Sequence, residues 1–192
     1  SALTLTPLFF TFELKAYDLL SRLCNPDKGH RDIVIVQVDQ TSLDSLAAEG
    51  VTWPWPRQIY APLFERLARA DAVFVDIIFS EPSSYGNEDD SILAASLAQS
   101  GNVFLPVFAT ANKRALDIAG RDFLDRLKIP DTQEPSVSLP FAITPIPPLA
   151  SAAHGGGNVM ITPDRDGVYR RLPLLFQVAD RTLPHFVLGH LL

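Results

Sequence analysis

The sequence predicts an α/β fold: a three-layer sandwich around a mixed, mainly parallel central sheet, with a C-terminal hairpin. Three observations predict it. Short β-branched or aromatic runs, Ile33 to Val38, Ala72 to Ile78 and Asn102 to Phe108, alternate with segments of helical periodicity. The runs are almost continuously apolar, as strands covered on both faces require. At 192 residues, 47% hydrophobic and 20% charged, the chain is long enough for one domain with a real core.

The elements follow in order. Residues 6 to 23 read as a helix, because Phe9, Phe12, Ala16, Leu19 and Leu23 recur at spacings of three and four. Asn25-Pro26-Asp27-Lys28-Gly29 breaks it. The first strand runs from Ile33 to Asp39, and Thr41 or Ser42 is expected to cap the next helix, with Gly50 beyond its end. Pro62 would cost a helix interior a hydrogen bond, so a loose turn is expected at Gln58 to Ala61 and a regular helix from about Pro62. The second strand carries Asp76. Asn87 is the expected cap of a helix whose first turn holds Glu88, Asp89 and Asp90, which the helix dipole favours, and Gly101 ends it.

After the third strand, Ala111 to Pro148 yields only a helical turn or two at Arg121 to Leu127; the proline-rich stretch Ile129 to Pro148 is expected to wind over the surface. Leu149 to His154 reads as a short helix stopped by Gly155-Gly156-Gly157. Asn158 to Thr162 and Val168 to Val178 read as a hairpin around Pro163-Asp164-Arg165-Asp166-Gly167, and Pro184 as the start of a terminal helix through Leu192.

The most distinctive stretch is Trp53-Pro54-Trp55-Pro56-Arg57, which holds both tryptophans and two of the 16 prolines. Each proline fixes its own φ and pushes the preceding residue towards extended geometry, so the segment is a stiff aromatic strap ending in a cation. Its place after the first strand and helix brings it back over the sheet's carboxyl edge, aiming Arg57 at Asp39 or Asp76.

Composition excludes several functions. A formal net charge of −6 with scattered Lys and Arg argues against nucleic acid or an anionic membrane surface as partner. One cysteine, Cys24, rules out an internal disulfide and any multi-cysteine metal site. No run approaches the ~20 apolar residues of a membrane span. The apolar ends, Leu3 to Phe12 and Phe186 to Leu192, suggest a fragment of a longer chain, with Ser1-Ala2 a cloning remnant.

The chemistry-bearing patterns are few. The triple glycine follows a helix and precedes a strand, the reverse of a phosphate cradle, and reads as a helix stop. Asp164-x-Asp166-Gly167 opens like a calcium loop but lacks the later ligands, so a turn is the better reading. The four histidines share no ligand spacing, and no serine sits in a nucleophile elbow. Asp39, Asp76 and Glu81 lie at the edge where parallel sheets bind ligands. Three readings fit them: a metal or catalytic pair, a polar ligand pocket, or structural acids that pair with Arg57 and cap helices. The structural reading comes first.

Taken together, these residues resemble the second CHASE family, extracytoplasmic sensory domains associated with cyclases and histidine kinases. The resemblance rests on Phe12-Glu13-Leu14 to Tyr17-Asp18-Leu19, Val38-Asp39 with Ser42-Leu43, and Trp53-Pro54-Trp55-Pro56-Arg57 with Tyr60. It continues through Val75-Asp76 to Phe79-Ser80-Glu81-Pro82, Asp89-Asp90, Gly101-Asn102-Val103, Asn158, and Asp164, Asp166-Gly167-Val168 with Arg170-Arg171. It covers nearly the whole chain in order.

The resemblance implies a single sensory domain over 1–192, periplasmic, in a receptor of the bacterial inner membrane. The helix over 1–23 would lead from the membrane and 184–192 back to it. A cytoplasmic nucleotide cyclase, histidine kinase or diguanylate cyclase would form the output. The expected domain is not an enzyme, has no cofactor and senses a small molecule or a physical signal, with Asp39, Trp53, Trp55, Arg57, Asp76 and Glu81 as the ligand-binding set. A homodimer is expected in the receptor. The competing readings are a metal-dependent hydrolase built on Asp39, Asp76 and Glu81, and a ligand-free dimerisation module.

Overall fold

The computed structural model describes residues 7–24, 29–112, 118–130, 135 and 137–191. The chain falls into two compact units, Ser1–Trp53 and Pro54–Leu192. The break expected at Asn25 to Lys28 lies outside the described residues, as does Leu192.

The first unit is helical. Helix α1 spans Pro7–Cys24, as its periodicity predicts. Helix α2 spans Gln40–Ala48. Its cap is Asp39, not Thr41 or Ser42: the Asp39 carboxylate accepts from the Ser42 N–H at 2.9 Å and the Ser42 hydroxyl at 2.7 Å. Gly50 follows the helix end with φ +85°, the left-handed geometry that favours glycine. The expected strand from Ile33 to Asp39 does not form. Those residues carry no regular secondary structure and are exposed, Val34 at 80%, and among the described residues no strand pairs with them. A β-branched run supplies propensity, but a strand exists only where a neighbouring edge pairs with it.

The second unit opens with a 3₁₀ turn over Arg57–Tyr60 and helix α3, Ala61–Leu67, with Pro62 in its first turn, as the proline requires. Strand β1, Val73–Phe74, is shorter than its apolar run, although Val75 N–H still reaches the Phe104 carbonyl at 3.1 Å. Helix α4 spans Asn87–Ser100, with Gly86 at the cap position in place of Asn87 and Gly101 closing it at φ +69°. Asn102 then ties off α3: its amide donates to the carbonyls of Leu67 (3.1 Å) and Ala70 (2.7 Å). Ser96 and Ser100 hydroxyls on α4 donate to the carbonyls of Ala61 and Phe64 on α3, which fixes one helix against the other.

Strand β2, Val103–Thr110, is the centre of the sheet and almost wholly buried. It pairs parallel with β1 and with β5, Gly155–Asn158, and antiparallel at its far end with β4, Phe141–Ile143. A second sheet orders β3 (Val137–Leu139), β6 (Leu175–Val178) and β7 (Arg181–Pro184), parallel then antiparallel. The fold is therefore α/β with mixed sheets. Helices α5, Ile118–Leu127, and α6, Pro147–Ala152, pack on one another, and the core gathers Leu93, Leu97, Leu105, Phe123, Leu149 and Phe176.

Four expectations in the second half are corrected. The segment 111–148 contains β3 and β4, whose brevity hid them among prolines. The triple glycine does not stop α6; it forms most of β5. Arg126 closes the helix instead, donating to the carbonyls of Ala150 and Ala153. Glycine is required in the strand because β5 lies so close to its neighbours. A Cβ on Gly156 would sit 2.2 Å from the Leu105 carbonyl oxygen, and one on Gly157 2.7 Å from Phe186 Cα. The hairpin lies later than expected: β6 and β7 meet across Ala179-Asp180, with Ala179 at φ +53°. Finally, pairing with β6 captures Arg181–Pro184, so the expected terminal helix reduces to a 3₁₀ turn at Phe186–Leu188.

Candidate functional site

The polar centre of the second unit is built where the Trp-Pro strap meets the start of α4. Pro54 and Pro56 hold the strap extended, which carries Trp55 and Arg57 inward. Arg57 is 7% exposed and Asp90 3%. The Arg57 guanidinium donates through Nη1 to the Asp90 carboxylate and through Nη2 to the Glu81 carbonyl. Its backbone N–H donates to Asp89 at 2.7 Å, and Gln58 N–H to the other Asp89 oxygen at 2.8 Å. Ser83 completes the set, with its N–H 3.1 and 3.2 Å from the Asp90 oxygens and its hydroxyl donating to Asp89.

An aromatic wall backs this network. Trp55 and Tyr60 rings lie 6.2 Å apart, Tyr60 and Phe79 6.0 Å, and the guanidinium stands 5.1 Å over the Phe79 ring. Burial pushes the Tyr60 hydroxyl up, against the pull of the Arg57 cation. Burial would also raise Asp89, but the Ser83 hydroxyl, the two backbone N–H groups and the Arg57 charge outweigh it and hold the carboxyl below its ordinary value.

Of the six residues expected to bind a ligand, the structure brings Trp55, Arg57 and Glu81 together, the last through its carbonyl, not its carboxylate. Asp76 is exposed, and Arg57 pairs with Asp90 in place of Asp39 or Asp76. Both terminal nitrogens of the Arg57 fork are committed to protein acceptors, so the fork holds the strap to α4. Asp39 and Trp53 belong to the first unit; Asp39 caps α2, which lowers its pKa, and Trp53 is 52% exposed. Sequence reasoning missed Asp89, Asp90 and Ser83 as members of the centre. Read from the sequence, Asp89 and Asp90 serve only the helix dipole. The available signal was a buried-face spacing that leaves two adjacent acids needing partners.

A second cluster surrounds the Asp164 turn. Gly167 N–H closes the turn on the Asp164 carbonyl at 2.9 Å, with Gly167 at φ +81°. Arg170, its side chain 3% exposed, donates to Asp164 and, through both terminal nitrogens at 2.8 Å, to Asp166. Arg171 adds a bond to Asp164 at 2.9 Å. The Arg170 bonds first, then the Val168 N–H and the Arg170 charge, outweigh burial and hold the Asp166 carboxyl down at about 2. The acids are thus paired with arginines, as a turn brace. Among the described residues no three His, Cys, Asp or Glu side chains converge as a metal set.

In this α/β unit the buried Arg57–Asp90 pair braces the strap and the loop after Phe79 to α4, and Arg170 braces the Asp164 turn. The CHASE2 domain model matches residues 1–192, and the chain belongs to that family of extracellular sensory domains. No curated protein and no solved structure matches the chain. CHASE2 domains are sensory, not catalytic. Among the described residues no helix is long and apolar enough to cross a membrane.

Proposed function

We propose that the chain is the periplasmic sensing domain of a bacterial inner-membrane receptor. Its cytoplasmic output would be a nucleotide cyclase, histidine kinase or diguanylate cyclase. The observation that carries this reading is the family match over the whole chain. Helix α1 supports it: Phe12, Tyr17, Leu19, Leu20 and Leu23 are all more than half exposed, a surface suited to pairing with a second copy in a homodimer. Signal transfer would be a population shift, in which a ligand or physical signal favours one arrangement of two protomers and so biases the helices entering the membrane.

The test is a topology map of the intact gene product. Alkaline phosphatase fused within the loop after Phe79 should be active, since that enzyme folds only outside the cytoplasm. An inactive fusion beside an active cytoplasmic reporter at the same position would overturn the reading. Cyclase or kinase activity in membranes carrying the intact protein would then identify the output.

A further inference from the structure

Asn158 closes β5 and is completely buried, and His185, 6% exposed, follows directly on β7. A parallel bridge pairs the two residues, one strand spacing of about 4.8 Å apart. Paired positions send their side chains to the same face. Both lie at the carboxyl end of the parallel β2–β5 pair, the end at which such sheets bind ligands.

Hydrogen bonds set the polarity of each group. Asn158 Oδ1 accepts from the N–H of Ala109 at 2.8 Å and of Met160 at 3.4 Å, which turns Nδ2 away as a donor. His185 Nδ1 accepts from Val187 N–H at 3.3 Å, so the neutral ring carries its proton on Nε2. Among the described residues, neither Asn158 Nδ2 nor His185 Nε2 meets an acceptor. Buried N–H donors are almost always paired, with protein, water or ligand. Both groups are buried, with the Phe176 ring 6.1 Å from the imidazole. Two uncharged donors in such a setting suit an uncharged oxygen, because an ionised group buried without a counter-ion is costly.

We propose that Asn158 Nδ2 and His185 Nε2 form one buried site for a single uncharged acceptor oxygen, supplied by an internal water or by the carbonyl of a small neutral ligand. The site does not depend on the receptor reading, and its test needs only the folded chain.

The experiment is NMR on the ¹⁵N-labelled protein at neutral pH. The His185 ring should show the Nε2–H tautomer. Its Hε2 and the Asn158 side-chain amide protons should both give rotating-frame Overhauser peaks to water, or both should shift saturably with added acetamide. Water peaks that persist in acetamide identify a resident water. Peaks lost as the acetamide shift saturates identify a carbonyl site. An Nδ1–H tautomer, or neither water peaks nor an acetamide response at the two residues, would overturn the proposal. Asn158→Leu, if folded, should abolish the His185 response; a response that survives would equally overturn the shared site.

Discussion

Arg57 and Asp90 stand 33 positions apart and form a buried ion pair that ties the Trp-Pro strap to the first turn of α4. Each also serves a second partner, Arg57 the Glu81 carbonyl and Asp90 the Ser83 N–H. The pair therefore joins the strap, the loop after Phe79 and the helix at one point.

Removing either charge should be severe. Arg57→Ala or Asp90→Ala leaves the other charge buried and unpaired, a cost of about 3–5 kcal/mol. Replacing both, as Arg57→Ala with Asp90→Ala, removes the stranded charge, so the double loss should fall below the sum of the single ones. Arg57→Lys should also destabilise, because a single ammonium cannot reproduce the fork to Asp90 and Glu81. Urea melts of the four variants check this; additive losses would mean that the two charges do not act as a pair.

The two tryptophans should separate cleanly. Trp55 is 9% exposed and sits against Tyr60, whereas Trp53 is 52% exposed. Trp55→Ala should cost about 3–5 kcal/mol as a large buried side chain is lost, and Trp53→Ala no more than about 0.5 kcal/mol, as for most surface changes. Thermal melts read both. A strap braced equally by the two rings would give equal losses.

Much of this fold was legible in the sequence, and most of the exceptions share a cause. Helices α1 and α4, strand β2 and the position of Pro62 follow from periodicity, capping chemistry and proline geometry, which are local. The caps of α2 and α4 fall locally on Asp39 and Gly86, a few residues from those expected; the other failures depended on a distant partner. Ile33 to Val38 has strand composition but no paired edge. Gly155 to Gly157 reads locally as a stop, and only the proximity of Leu105 and Phe186 shows why glycine is needed. The sequence aims Arg57 at Asp39 or Asp76, but its partner is Asp90, brought to it by the turn at Glu81 to Gly86, which no spacing rule encodes.

The glycines of β5 should differ in tolerance. Alanine at Gly156 meets backbone, the Leu105 carbonyl, which cannot move without breaking the β2–β5 ladder. Alanine at Gly155 meets the Phe104 ring edge at 2.8 Å, a side chain that can turn, though it is stacked on Phe74. Overpacking costs about 1–3 kcal/mol, and Gly156→Ala should lie at or above the top of that range and Gly155→Ala below it. Equal melting points for the two variants would contradict the close approach at Gly156.

Acid should unfold the protein in two separable windows. Burial lowers the His185 pKa, so the unfolded chain takes up that proton first, near pH 6.5, and stability falls as pH drops from there towards the folded pKa. Protonation at Nδ1 would also forfeit the bond from Val187 N–H. Asp89 is likewise lowered, but as an acid: its contribution is complete above the unfolded carboxyl value of 3.8 and is lost as pH falls through the still lower folded value. Denaturant midpoints measured from pH 8 to pH 3 should therefore decline first below about pH 6.5 and again below about pH 4. His185→Gln should flatten the upper decline and leave the lower one, while Asp89→Asn, less stable throughout, should show a shallower lower decline. An upper decline that persists in His185→Gln would assign that proton uptake to another group.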